Sequence, residues 1–354
     1  MQKVTLAQPL LEWYDLHGRD LPWRRKPTPY TTLVSEIMLQ QTRVEAVLPL
    51  YERFIERFPT IQDLAAASQD EVLTYWQGLG YYSRARRLHE TAQIIVTDHN
   101  GLVPDDKTTL RTLPGIGEYT CGAILSMAFD QTELAIDGNL LRIGARLFLV
   151  SDPINRMQAK RKIQANFEGL LPQKRPGDFN QALMDLASRI CLPRNPRCTE
   201  CPLAQHCQAL LGGEVAGLPK REAAKPPVKV QVELFLVESQ GALLLRKRES
   251  GGFLQGMWEL PWYDSESHVA STKLKVSDKH DWLSTHLAQD PLKVAKMDYV
   301  FSHRHWLMTI FHYHTDEPFQ VPMEKDILYQ WQPLNSLAQL ALPTVFKKAL
   351  RILL

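Results

Sequence analysis

The stretch Leu113-Pro114-Gly115-Ile116-Gly117-Glu118-Tyr119-Thr120 decides how this 354-residue chain is read. Proline and two glycines stop one helical stretch and turn the chain sharply, and the 3.6-residue period resumes at once, which predicts a helix over Glu118–Phe129. Glycines there leave backbone N–H groups exposed at the positive end of the second helix dipole, an arrangement that grips phosphate without a cationic side chain. A plain tight turn uses the same residues.

Working outward, helical periodicity runs from Pro9 to Leu210, broken by Phe58-Pro59-Thr60, Asn100-Gly101 and Asp152-Pro153. The sequence GGEVAGLPKREAAKPP, residues 212–227, is rich in Gly, Pro and charge and reads as an interdomain connector. Beyond it, β-rich runs over Val230–Val237, Ala242–Arg246, Met297–Ser302 and Trp306–Tyr313 mix with helical patterns over Asp278–Leu287 and Leu342–Leu353. The expected architecture is an all-α domain over residues 1–211, a connector over 212–228 and an α+β domain over 229–354.

With 44% hydrophobic and 23% charged residues, the composition excludes a disordered, collagen-like or disulfide-scaffold chain. Met1–Leu10 lacks the order of a signal peptide, and no apolar run approaches the ~20 residues that span a bilayer, so the expectation is a soluble cytoplasmic protein with no membrane partner. A net charge of +2 names no partner. Three local runs, Arg24-Arg25-Lys26, Arg84 with Arg86-Arg87, and Lys160-Arg161-Lys162, suit either phosphate or a solvated helix face.

Four of the five cysteines, Cys191, Cys198, Cys201 and Cys207, share the spacing C-x6-C-x2-C-x5-C over residues 191–207. Disulfides do not suit a reducing cytosol, which leaves structural zinc and an iron-sulfur cluster. Cys121, in an apolar helix, reads as core packing.

Two carboxylates stand out. Glu36 lies in the apolar run Leu33–Leu39, where burial raises a carboxyl pKa. Asp137 precedes the helix predicted over Asn139–Val150, where N–H groups and the dipole favour the ionised form. A surface glutamate and a plain helix cap are the alternatives. Together, a retained proton and a fixed negative charge suit cleavage of a glycosidic bond, in which the leaving group is protonated and the sugar becomes cationic.

The hairpin LPGIGEYT, the segment Asp137-Gly138-Asn139 and the cysteine spacing resemble the helix-hairpin-helix glycosylases of the endonuclease III superfamily. Arg19–Arg24 (RDLPWR), Ser35–Val44 (SEIMLQQTRV), Gly78–Arg84 (GLGYYSR) and Phe179–Leu186 (FNQALMDL) narrow the resemblance to the adenine DNA glycosylases, the MutY family. It covers essentially the whole chain. The resemblance implies a multidomain protein, an all-α helix-hairpin-helix domain with an iron-sulfur loop followed by an α+β Nudix-like domain. It also implies a monofunctional enzyme of base excision repair, which hydrolyses the bond to adenine mispaired with 8-oxoguanine or guanine and so prevents G:C to T:A transversions. A 4Fe-4S cluster on the four cysteines, a monomer and a nucleoid-associated location in the cytoplasm follow from it too.

Residue by residue, the resemblance makes Glu36 the acid that protonates adenine N7 and assists water, Asp137 the stabiliser of the sugar cation, and Tyr119 and Asn139 their supports. Tyr119 stands where lyase relatives carry lysine, so no Schiff base is expected. Gln40-Gln41-Thr42 and Tyr81-Tyr82 suit filling or bracing the gap left by an extruded base; by the resemblance Gln41 and Tyr81 enter the stack with Leu79 nearby, and Gly115 and Gly117 would hold phosphate. Gln181 would meet an adenine edge, while Arg19, Trp23 and Arg24 would line its pocket. In the second domain Phe301, Ser302 and His303 match a loop that reads 8-oxoguanine. No glutamate-rich Nudix box REuxEExGu occurs, so metal-dependent nucleotide hydrolysis is not expected there. The nearby His303, His305, His312 and His314 read as the polar face of two strands rather than a metal site.

Overall fold

The computed structural model describes residues 6–223, 226–248, 254–264, 286–287, 290–301, 303–321 and 327–353. The chain divides into two compact units, Met1–Ala223 and Ala224–Leu354. The helix predicted over residues 278–287 lies almost wholly outside the described residues, and so does Ser302.

The first unit contains α1 (Ala7–His17), α2 (Pro22–Arg25), α3 (Pro29–Leu39), α4 (Val44–Arg57), α5 (Ile61–Ala66), α6 (Gln69–Tyr75), α7 (Ser83–Asp98), α8 (Lys107–Leu110), α9 (Glu118–Ala128), α10 (Gly138–Leu147), α11 (Met157–Glu168), α12 (Pro176–Arg189) and α13 (Gln208–Leu211). Side chains satisfy the free N–H groups where several of these begin: Thr28, Thr60, Asp106 and Asp137 each accept from the first turn. Helix α3 is buried without a break from Thr32 to Met38, packed against α4, α7 and α9. Any charged residue on it has to be desolvated, and the one it carries is Glu36.

Close approach of helices fixes the middle of this unit. A Cβ on Gly122 of α9 would lie 2.3 Å from the Leu134 carbonyl oxygen, and one on Gly177 of α12 would lie 2.6 Å from that of Ser126. The fully buried Asn180 of α12 sews the same region together. Its amide donates to Ser126 Oγ and the Glu133 carbonyl, both at 2.9 Å, and accepts from the Ala135 N–H at 3.0 Å. Residues 133–135 are thereby held two positions ahead of Asp137. The part of the expected connector up to Glu222 is docked on this unit: Leu218 is buried, Arg146 Nε donates to its carbonyl (2.9 Å) and Arg156 pairs with Glu222 (2.6 Å). Those contacts use backbone groups and surface charges, which leave no periodic signal.

The second unit is a mixed seven-stranded sheet among the described residues: β1 (Val228–Ser239), β2 (Ala242–Arg248), β3 (Trp258–Glu259), β4 (Trp262–Asp264), β5 (Lys293–Val300), β6 (Arg304–His314) and β7 (Ile327–Pro333). Strand β1 lies parallel to β6, from Val228 beside Arg304 to Glu238 beside His314. Period-2 burial places Val232, Leu234, Leu236, Trp306, Met308 and Ile310 on one face under α14 (Thr344–Leu353), while Phe235, Val237 and Leu244 face the other way. The four expected strands appear with shifted ends. Strand β5 begins four residues earlier than predicted because its exposed Lys293, Val294 and Lys296 follow no apolar pattern. Strands β3 and β4 are too short for pattern reading, and β7 also lay outside the expectation. The histidines differ from expectation too: His305, His312 and His314 belong to one strand, and His312 is buried, 3.5 Å from Glu238.

Replacing Gly122 with alanine should destabilise the first unit by about 1–3 kcal/mol, because the clash is with backbone that cannot rotate away. Chemical denaturation checks this, and an unchanged midpoint would contradict the packing described.

Candidate active site

Glu36 sits in the middle of α3 with 4% of its surface exposed. The Tyr119 hydroxyl donates to its Oε2 at 2.6 Å, and that hydroxyl also lies 3.8 Å from Met184 Sδ. Burial pushes the Glu36 carboxyl up to about 7; the Tyr119 hydrogen bond and the charge of Arg24 pull against the rise, and the charge of Asp137 adds to it. Tyr119 is itself pushed upward by burial and by Glu36, so the phenol keeps its proton and remains the donor. Glu36 forms part of a recess lined by Arg19, Trp23, Arg24, Ser35, Gln181 and Met184 among others. Leu39 also borders a neighbouring, wider groove containing Gln40, Gln41, Gly115, Gly117, Tyr119 and Asp137.

Asp137 caps α10. Its Oδ1 accepts from the N–H groups of Asn139 (2.9 Å) and Leu140 (2.8 Å), and Oδ2 accepts from the Asn139 side-chain amide (2.7 Å). The expectation that the helix start alone sets its charge state needs correction: burial raises the Asp137 carboxyl, opposed by those hydrogen bonds and by Arg142. The two acids still differ in kind. Glu36 has one phenolic donor, whereas three N–H donors already point at Asp137 to receive negative charge.

A residue that sequence reasoning passed over organises the recess. Asp185 of α12 is fully buried and takes both local arginines: Arg19 Nε and N–H donate at 2.8 and 2.9 Å, and Arg24 Nη1 and Nη2 at 2.9 and 3.0 Å. Burial alone would raise Asp185, but these hydrogen bonds outweigh it and hold the carboxyl below the usual range. Its signal was present in the sequence, an aspartate inside the apolar run Leu183-Met184-Asp185-Leu186-Ala187, where a charge requires partners. Gln181, one turn earlier, accepts from the Tyr14 hydroxyl (3.1 Å), and Trp23 packs edge-on against Tyr51 at 5.0 Å between ring centroids.

The segments expected to enter DNA are exposed and conformationally unusual. Gln41 (φ 59°) and Tyr81 (φ 48°) both adopt left-handed backbone, and Tyr81 is 51% exposed. Leu79, expected close to these tips, is buried, with 5% of its surface exposed. Thr42 and Gln40 face inward, Thr42 Oγ1 accepting from Arg84 (2.9 Å) and the Gln40 amide donating to Thr120 Oγ1 (3.1 Å). Arg84 is likewise no surface cation, since it is buried and bonded to carbonyl groups. In the hairpin only Gly115 (φ 80°) needs glycine for its backbone; Gly117 is extended, and a Cβ there would meet nothing within 4 Å.

Cys191, Cys198, Cys201 and Cys207 are free thiols, each half-buried, around the 3-10 turns Cys198–Glu200 and Ala204–His206. Helix α10 grips the loop with two arginines one turn apart. Arg142 donates to the Cys191 and Ala187 carbonyls (2.8 Å each) and to Asn139 Oδ1 (3.0 Å), while Arg146 donates to Cys191 Sγ (3.3 Å) and the Leu192 carbonyl (2.7 Å). Four soft thiolate donors from one short loop, with a guanidinium against one sulfur, fit an iron-sulfur cluster in chemical type. No three His, Cys, Asp or Glu side chains converge as a metal site among the described residues. In the second unit, the Phe301 N–H donates to the Arg304 carbonyl (2.7 Å), closing the turn between β5 and β6, and its ring lies 5.0 Å from Trp306. His303 is exposed in that turn.

A helical unit with a glycine hairpin, a paired buried acid and capping aspartate, and a four-cysteine loop defines a helix-hairpin-helix base excision repair enzyme. Residues 34–170 match the HhH-GPD superfamily of base excision DNA repair proteins, residues 191–207 the iron-sulfur binding domain of endonuclease III, and residues 233–351 the NUDIX domain. The chain is similar to the adenine DNA glycosylase of Rattus norvegicus, at 36% identity over 83% of this chain and 67% of the relative. It is 34% identical to that of Homo sapiens, over 83% of this chain and 64% of the relative. With the adenine DNA glycosylase of Buchnera aphidicola subsp. Baizongia pistaciae the identity is 31%, over 98% of this chain and 96% of the relative. A thermostable thymine-DNA glycosylase structure superposes with a TM-score of 0.54 at 29% identity, covering 58% of this chain and 95% of that one. The chain belongs to the adenine DNA glycosylase family, and it is an enzyme carrying an iron-sulfur binding loop. No helix among the described residues is long and apolar enough to cross a membrane.

Because folding lifts the Glu36 carboxyl from an ordinary 4.5 to about 7, it contributes stability below pH 4.5 that is lost as pH rises through about 7. Glu36→Gln removes that dependence. Between pH 4 and pH 8 the stability difference should move in favour of Glu36→Gln by about 3 kcal/mol. Denaturant titrations at the two pH values measure it, and parallel pH profiles for the two proteins would contradict the assignment.

Proposed function

We propose that this enzyme removes adenine paired with 8-oxoguanine, and less efficiently with guanine, from double-stranded DNA by hydrolysis without a covalent enzyme intermediate. The observation that carries the chemistry is the buried Glu36 carboxyl, raised to about 7 in a recess that adjoins the groove of Asp137. Glu36 gives its proton to N7 of the extruded adenine, which weakens the bond from N9 to the sugar. The electron pair of that bond leaves with the purine, and the cationic sugar is stabilised by the Asp137 carboxylate. Glu36, now ionised, takes a proton from water as its oxygen adds to the sugar carbon. Tyr119 holds Glu36 in place, and Asn139 holds Asp137. Among the described residues no lysine lines either recess, which supports hydrolysis over an amine adduct.

Gln41 and Tyr81 are proposed to enter the base stack, Gln181 with Arg19, Trp23 and Arg24 to border the adenine, and Gly115 and Gly117 to hold phosphate through N–H groups. The open space at Gly117 supports this last role, since glycine there is not demanded by the fold. Cys191, Cys198, Cys201 and Cys207 would hold a 4Fe-4S cluster, which would cross-link the loop that Arg142 and Arg146 grip. Recognition of 8-oxoguanine is assigned to Phe301, Ser302 and His303. Its support is the matching segment and the tight turn that Phe301 closes.

Single-turnover adenine release should fall about tenfold per pH unit above pH about 7, as Glu36 loses its proton, and should fall again at acid pH, as the Asp137 carboxylate takes one up. Glu36→Gln and Asp137→Asn should each lower the maximal rate by about 10²–10⁴-fold. Activity surviving both substitutions would remove the mechanism. Separately, Ser302→Ala should narrow the preference for 8-oxoguanine over guanine opposite adenine while leaving the rate on the guanine mismatch nearly unchanged; equal losses on the two duplexes would reject the reading role.

A further inference from the structure

We infer that Arg84 is a positioning residue that sets the two DNA-entering segments, around Gln41 and Tyr81, as one preformed wedge. Its Nη1 donates to the carbonyls of Ile37 (2.9 Å), Met38 (2.8 Å) and Gln40, at the end of α3 and the start of the first loop. Its Nη2 donates to Thr42 Oγ1 (2.9 Å) and to the carbonyls of Leu79 and Gly80 (3.3 Å each). The guanidinium lies over the rings of Trp76 and Tyr81, 5.4 Å from each centroid. One side chain therefore touches the residues on both sides of Gln41 and those just before Tyr81, as well as Tyr81 itself.

Both tips adopt left-handed backbone, a conformation that non-glycine residues hold only when their surroundings impose it. The Arg84 hydrogen bonds supply that constraint. Carbonyls at the end of α3 carry the negative pole of its dipole, so the buried charge is balanced without a carboxylate. Burial still lowers the Arg84 pKa to about 10, which leaves it charged at any pH where the enzyme acts. Lysine offers a compact head with three donors and no flat face, and it cannot reproduce the planar fork whose two arms share their hydrogens between the α3 end and the Leu79–Gly80 carbonyls while stacking on two rings.

The inference rests on the reading of Gln41 and Tyr81 as the groups that enter the stack, and the test separates the two ideas. In an enzyme blocked by Glu36→Gln, 2-aminopurine replacing the target adenine opposite guanine reports unstacking by fluorescence, and anisotropy reports binding. Arg84→Met and Arg84→Lys should each bind the duplex within about threefold of the parent yet slow unstacking by about 100-fold, the loss expected of a displaced catalytic geometry. Unstacking at the parental rate in either variant overturns the inference. Should Arg84→Met not fold, Arg84→Lys alone decides, and full rescue by lysine shows that charge without the fan of bonds suffices. Gln41→Ala and Tyr81→Ala are the controls: if neither slows unstacking, the wedge reading fails, whereas slowing in both with none in the Arg84 variants rejects only the role of Arg84.

Discussion

The site depends on a carboxyl kept in an apolar helix without a cation of its own. Two arginines line the recess of Glu36, and at an effective dielectric near 20 a charge pair at 4 Å is worth ~4 kcal/mol, which opposes the rise that burial imposes. An arginine free to turn toward Glu36 would therefore lower the carboxyl and favour its ionised form. Asp185 prevents this by taking Arg19 and Arg24 together, through both its oxygens, deep in α12. What reaches Glu36 is the remainder of the Arg24 field and a neutral phenol. The recess is thus lined by charged groups that have already been satisfied by one another.

Asp137 is fixed by a different part of the structure. Asn180 anchors residues 133 and 135, Asp137 starts α10, and Arg142 and Arg146 lash that helix to the loop of Cys191. The chain of hydrogen bonds from Cys191 through Arg142 and Asn139 to Asp137 is continuous. It ties the four-cysteine loop and the carboxylate to one helix, α10, the carboxylate at its start and the loop along its middle and end. Glu36 and Asp137 therefore belong to separately built scaffolds, α3 on one side and the α10–α12 region on the other, and Tyr119 on α9 stands between them. The raised Glu36 pKa includes a contribution from the Asp137 charge, so the spacing of these scaffolds also helps set how firmly the proton is held.

Much of this arrangement was legible in the sequence because it rests on local chemistry. Periodicity and Gly-Pro punctuation mark the helices, Asp137 announces a helix start, Glu36 betrays itself as a charge in an apolar run, and the cysteines show by spacing. Hidden from the sequence were partnerships over long separations. Arg84 sits in a basic run and reads as a surface cation, yet it is buried against carbonyls more than forty positions away, which carry no side-chain signature. Residues 212–222 read only as part of an interdomain connector because their docking uses backbone oxygens and a surface ion pair. The edge strand β5 lost its first residues to solvent-facing lysines, and β7 pairs with β2 across a long intervening sequence.

Position 119 shows how one side chain couples the charge of the site to its reaction type. A phenol buried against Glu36 stays neutral, donates a hydrogen bond and leaves the carboxyl near neutrality in its titration. An amine at the same place would be a cation within hydrogen-bonding distance of Glu36. The pair would then share the proton as ammonium and carboxylate, lowering the acid by the same electrostatics that Asp185 spares it from Arg24. Conversely, an amine acting as a nucleophile must shed its proton, which a neighbouring carboxylate opposes. Proton donation by Glu36 and attack by an amine at position 119 are therefore competing uses of one small volume, and tyrosine resolves the competition toward the acid.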